Sequence, residues 1–196
     1  MAKKTCKGLT YAKYTSGGAG SAIVYAAGVV KEDYLCQVNL TETRDSQKEY
    51  ADGHQIDASN GLNAVQLALE LANNDPDIKK DILGYLTGSG TGELDVTDKD
   101  APFVGIGFIL CNRFKGEETY EGYWIYKIQF STGGVTSNTR RETEQWEHET
   151  INGEGVSVKL TAAGDAIYYT QILGQTTEAA VRTWLNTKAG VPSPTP

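Results

Sequence analysis

The sequence predicts a mainly β protein with a flanking helix, of the α+β class, and three observations carry that prediction. The composition sets 22 Gly and 11 Tyr against a single Met in 196 residues, which favours turns and strands over helix bundles. Tyr34 to Thr41 alternates, with Tyr34, Cys36, Val38 and Leu40 on one face and Gln37, Asn39 and Thr41 on the other. A period of two marks a half-buried strand. Tyr123 to Phe130 (YWIYKIQF) concentrates aromatic and β-branched residues in one run, as strands do. A chain of this length fits one domain, or one domain with arms.

In chain order, residues 1–21 are polar, end in SGGAGS and read as an N-terminal arm. The body follows over 22–175, opening on the β-prone AIVYAAGVV of Ala22 to Val30. Glu42 to Gly61 is polar and charged without a hydrophobic period, and reads as a loop too long for an ordinary hairpin turn. Leu62 to Ala72 mixes good helix formers with strict alternation. Val65, Leu67, Leu69 and Leu71 at period two outweigh propensity and predict a strand. Asp75-Pro76-Asp77 opens a short helix over 76–86 that Gly88 stops. Phe103 to Leu110 predicts a buried strand. Arg141 to Ile151 alternates weakly, and the AAGD turn at 162–165 predicts a hairpin joining Val156, Val158 and Leu160 to Ala166–Leu173. Thr176 or Thr177 caps a last helix to about Lys188, with Glu178 in its first turn. The end, VPSPTP, predicts a disordered tail.

Motifs for chemistry are few. The net charge of −7 and a pI near 4.9 argue against gripping nucleic acid through phosphates. The glycines of GSGTGELDVTDKD (88–100) follow a helix and precede acidic residues, the reverse of a phosphate cradle. Asp95, Asp98 and Asp100 lack cation-loop spacing and read as a solvated turn. His54 and His148 have no second ligand nearby in sequence, and the pair Glu142 and Glu144 reads as an exposed strand face. Cys6, Cys36 and Cys111 are odd in number and form no CxxC, so they read as reduced thiols, with Cys36 and Cys111 in the core. The start, MAKKTCKGLT, has no signal-peptide core, which predicts synthesis and retention in the cytoplasm. No run approaches the length of a membrane span. Neither an enzyme, a cofactor nor a metal site is predicted.

The order of features carries more than any motif. KEYADG, LGYLTG, DKDAPFVGIGF and YWIYKIQF, followed by RETEQWEHETINGEG, occur in one sequence over about residues 7–187. This order resembles the major tail protein family of long-tailed, non-contractile bacteriophages, with Phe103 standing where Tyr is common. The resemblance implies a β-sandwich or barrel that assembles as hexameric rings stacked into the tail tube, the conduit for DNA ejection. Its partners would be further copies of itself and other tail proteins at the tube ends. DNA would pass through without specific binding, and the protein would reside in the virion. Six copies of a chain at −7 would carry −42 per ring, which repels phosphate. Two alternatives share parts of the pattern: the inner tube of a contractile tail or injection system, and a β-sandwich carbohydrate- or protein-binding module with Tyr123, Trp124 and Tyr126 as its platform.

Under the resemblance, Gln37, Asn39 and Thr41 with Gln66 and Glu70 would line the lumen, the small Ala64 and Ala68 keeping the wall smooth. The stretch 42–61 would be the inter-ring loop, anchored by Tyr50 and Ile56 and rimmed by Arg44, Asp45, Lys48, Glu49 and Asp52.

Overall fold

A computed structural model of the chain describes residues 3–32, 35–51, 54–72, 75–91, 93–132 and 148–191, with backbone alone at 3–4, 47–51, 54–60 and 132. Among these residues the strands are β1 (Lys3–Ser16), β2 (Val24–Tyr25), β3 (Val29–Lys31), β4 (Leu35–Ala51), β5 (His54–Leu71), β6 (Leu86–Thr87), β7 (Leu94–Asp95), β8 (Phe103–Phe114), β9 (Glu117–Thr132), β10 (Glu149–Gly155) and β11 (Tyr169–Gln175). The helices are α1 (Pro76–Ile82) and α2 (Glu178–Ala189). One antiparallel sheet runs β2-β1-β8-β9-β10-β5-β4, with β3 also on β1 and β11 also on β9, while β6 and β7 pair apart. The protein is therefore mainly β with two helices. At the β8–β9 turn, Lys115 and Gly116 both have positive φ (52° and 91°), the geometry that matches the twist of a two-residue hairpin.

Both faces of the central strands are covered. On one, Leu9 and Tyr11 of β1 meet Leu67, Leu69 and Leu71 of β5, Phe108 of β8 and Phe130 of β9, closed by Ile78 and Ile82 of α1. On the other, α2 lays Val181, Leu185 and Ala189 against Ala12, Ile109, Trp124 and Tyr126. Their spacing of four puts these helix residues on one stripe. Near one end of the sheet β1 meets β4, which lies beyond β8, β9, β10 and β5 in strand order. The Cys6 thiol donates to the carbonyls of Leu35 (3.8 Å) and Cys36 (3.3 Å), so the sheet curls around the first core.

Several expectations change. From Lys3 to Ser16 the supposed arm is an inner strand, buried from Gly8 through Ala12. Its charged start hides a short alternation, and a bulge at Gly8 (φ 54°) breaks the period. The stretch 42–61 is not a loop: β4 and β5 pair from Leu35↔Leu71 to Ala51↔His54. Thr41 to Ser46 are exposed on both faces of β4, and a strand wet on both faces shows no hydrophobic alternation; the Asp52-Gly53 dipeptide in the sequence between the two strands is itself a hairpin signal. The strand expected over Leu62–Ala72 is the second half of β5. In β4 a bulge between Leu35 and Gln37 inserts Cys36 as the extra residue, so Leu35 packs on the core and Cys36 is exposed. Cys111 is buried, as expected.

The first helix ends at Ile82, two residues before Gly84 (φ 75°) and not near Gly88, while Asp75 is its N-cap. The second is capped by Thr177 and ends at Gly190 (φ 64°). The hairpin expected around residues 162–165 reduces to one bridge, Val158↔Ile167, because β11 pairs with β9. Tyr34, Asp52, residues 141–147 with Glu142 and Glu144, and the tail 192–196 lie outside the described residues.

Candidate functional site: a polar sheet face and a long hairpin

The register brings the five lumen candidates onto one face of neighbouring strands. Gln37 stands opposite Glu70, Asn39 opposite Ala68 and Thr41 opposite Gln66. Behind them Val38 and Leu40 pair with Leu69 and Leu67 and face the core. The face continues through residues that sequence reasoning missed. Thr150, Asn152 and Glu154 of β10 lie beside Glu70, Ala68 and Gln66, and Ser131 and Gln129 of β9 lie beside Asn152 and Glu154. Thr150, Asn152 and Glu154 do alternate in the sequence. The inward positions, however, include Gly153 and Gly155, so no apolar period announces the strand. Gly153 is required there: a Cβ would come within 2.7 Å of Ile128 Cδ1 and of the Phe130 ring.

Part of this face is overhung by the segment after α1. A cleft of about 900 Å³ lies between Asn39, Thr41, Gln66 and Glu154 on the sheet and Tyr85 and Lys99 on the segment. Gln129 Nε2 ties the two by donating to the Ala101 carbonyl at 2.7 Å. Asp95, Asp98 and Asp100 are exposed on the same segment, whose β6–β7 turn is held by Glu93 accepting from Gly90 N–H at 2.6 Å.

Beyond the polar face, the β4–β5 hairpin leaves the sheet. β10 accompanies β5 from Leu71 to Val65, so among the described residues the partner of β5 from Ala64 to His54 is β4 alone. That is roughly 30 Å of two-stranded ribbon. It contains Arg44 opposite Leu62, Asp45 opposite Gly61, Lys48 opposite Ala58, Glu49 opposite Asp57 and Tyr50 opposite Gln55, with Ile56 the extra residue of a bulge. Arg44 and Asp45 are exposed. The foot of the ribbon is pinned by two tyrosines that sequence reasoning also missed. Tyr168 Oη donates to the Asn63 carbonyl at 2.7 Å, and Tyr169 Oη donates to Glu42 Oε1. Arg44 completes the foot with an ion pair to Glu42 at 2.8 Å. The Tyr169 hydrogen bond, with help from Arg44, holds the Glu42 carboxyl below its usual range. The same bond pushes the Tyr169 phenol up to about 12. Among the described residues β4 pairs in register with β5 and with no other strand, and beyond Leu35 and Cys36, where the Cys6 thiol of β1 reaches its carbonyls, its outer edge carries no strand.

Among the described side chains, the remaining candidates are not assembled into a reactive site. His148 lies 3.7 Å from Cys36 Sγ, a neighbour the sequence separates by 112 residues, and His54 is described by its backbone alone. Among the described residues no three His, Cys, Asp or Glu side chains are placed to share a cation, and no helix is long and apolar enough to cross a membrane. Trp124 and Tyr126 are buried against α2, and Tyr123 stacks on Phe108 with ring centroids 5.3 Å apart, so they form no exposed aromatic platform. No protein-family model matches this chain, and no curated protein matches its sequence.

Proposed function

We propose that the protein is a structural subunit that polymerises as stacked hexameric rings into the tail tube of a long-tailed, non-contractile bacteriophage. The observation that carries the reading is a polar sheet face, backed by an apolar core, that runs out to a β4 edge with no strand on it beyond Cys36 among the described residues. A long edge without a partner strand invites aggregation unless it is blunted or paired, and closure into a barrel removes such edges. Copies joined around a ring would turn the faces carrying Gln37, Asn39, Thr41, Gln66 and Glu70 inward, as a hydrophilic, acidic wall for DNA to slide past. The hairpin with Arg44, Asp45, Lys48, Glu49, Tyr50 and Ile56 would reach the adjoining ring. The order of sequence features over residues 7–187 supports the same assignment, as does a net charge that repels phosphate. In this role the protein catalyses nothing, travels in the virion and contacts other tail proteins at the tube ends.

Negative-stain microscopy of the concentrated protein tests the proposal. Hollow tubes or stacked six-fold rings are the expected result. Particles that remain compact monomers or closed dimers at every concentration would sink it.

A further inference from the structure

Two of the three cysteines adjoin each other where the curled sheet meets itself. Cys6, in β1, points its sulfur at the main-chain carbonyl of Cys36 itself, 3.3 Å away. Cys36, bulged out of β4, is exposed, and the imidazole Nε2 of His148 lies 3.7 Å from its sulfur. The two cysteines are 30 residues apart in sequence, on strands that do not pair with each other. We propose that Cys6 and Cys36 form a redox-responsive disulfide that staples β1 to β4 and locks the curled sheet shut.

The environments of the two sulfurs set the order of events. Burial above all pushes the Cys6 thiol up, so it stays protonated and slow to react. Cys36 is the accessible partner, with a base at hand to take its proton. With a small-molecule disulfide such as oxidised glutathione as oxidant, the Cys36 thiolate attacks one sulfur, the S–S bond breaks and one glutathione thiolate leaves. The Cys6 sulfur then swings off its carbonyl acceptors, loses its proton to solvent, attacks Cys36 Sγ and expels the second glutathione thiolate. The protein loses two protons and two electrons, and both electrons end on the two reduced glutathione molecules. Closing the loop restricts the unfolded chain, which raises the thermal midpoint by about 5–10 °C. Cys111 is buried and takes no part.

The full chain, kept dilute, is incubated with oxidised glutathione and examined by intact mass and by peptide mapping without reduction. Wild type and C111S are expected to lose the mass of two hydrogens, yield a Cys6–Cys36 cross-linked peptide and melt at higher temperature. C6S, which lacks the resolving sulfur, should retain glutathione on Cys36. H148Q should form the same cross-link more slowly near neutral pH and regain the wild-type rate in more alkaline buffer. Wild type that keeps glutathione on Cys36, cross-links into dimers or shows no change would overturn the proposal. A cross-link through Cys111 would do the same.

Discussion

Tyr169 and Glu42 meet at the foot of the hairpin, and their bond couples the ribbon to the body of the protein. Removing the hydroxyl in Y169F is expected to cost about 1 kcal/mol, read as a lower denaturant midpoint, with faster amide exchange near residues 42–46. The bond also has a pH signature. The folded Glu42 carboxyl titrates below its unfolded value, so its contribution is complete above the ordinary carboxylate range and is lost as pH falls through the depressed folded value. The Tyr169 phenol is raised, so its share is complete below its unfolded pKa of about 10 and is lost as pH rises towards about 12. Y169F should flatten both limbs of the stability–pH curve, and an unchanged acid limb would separate Glu42 from Tyr169. Asp75 makes a second local link. It caps α1 through Asp77 N–H at 2.8 Å and pairs with Lys31 at 2.7 Å. Burial alone would raise its carboxyl, but the Lys31 and backbone hydrogen bonds outweigh it and hold the group low. D75A should lose about 1–2 kcal/mol, measured by urea unfolding.

The seating of α2 depends on glycine in the strands beneath it. A Cβ at Gly107 would stand 2.6 Å from Leu185 Cδ2 and 2.8 Å from Trp124 Cε3, and one at Gly122 would stand 2.5 Å from Val181 Cγ1. G107A is therefore expected to destabilise by about 1–3 kcal/mol, although alanine suits a strand better than glycine. Calorimetry would show it as a lowered thermal midpoint, and a neutral result would mean that α2 docks loosely. The β4–β5 hairpin behaves in the opposite way. Its described side chains at 41–46 are exposed, and among the described residues it is paired beyond Val65 with itself alone. Replacing residues 44–58 with a short Gly/Ser linker should leave the near-ultraviolet circular dichroism of the core intact. Under the proposed function the same variant should stop making tubes, and normal tubes from it would remove the ribbon from stacking.

For the whole molecule, charge and the open edge act against each other. Each copy carries −7, so copies approaching one another at low salt repel, while the β4 edge, which beyond Cys36 carries no strand among the described residues, favours association. Screening shortens from about 10 Å at 0.1 M to about 3 Å at 1 M ionic strength. Sedimentation velocity should therefore show larger assemblies as salt rises at constant protein concentration. A loss of assemblies with salt would point to ion pairs between copies as the main glue. The proposed staple between Cys6 and Cys36 would act at this scale too, because it would join strands separated by most of the sheet order.

What could be read in one dimension was whatever repeats at short range. Alternation in Val65 to Leu71 identified the second half of β5 against its helix propensity, the aromatic run identified β9, and Asp75 and the Thr176-Thr177 pair marked the helix starts. The polar faces of Gln37–Thr41 and Gln66–Glu70 were legible for the same reason: one wet side and one dry side produce a period. Elements wet on both sides or dry on both sides have no such contrast. The outer hairpin, exposed on both faces at Thr41–Ser46, was thus mistaken for a loop, and the buried strand at Leu9–Ala12 for an arm. Glycines facing the core concealed β10, and a one-residue bulge turned Cys36 from core to surface. Pairing partners were beyond local pattern altogether. That β11 joins β9, that Tyr169 finds Glu42 across 127 residues and that Cys6 meets Cys36 all follow from how the sheet curls, which no short window of sequence contains.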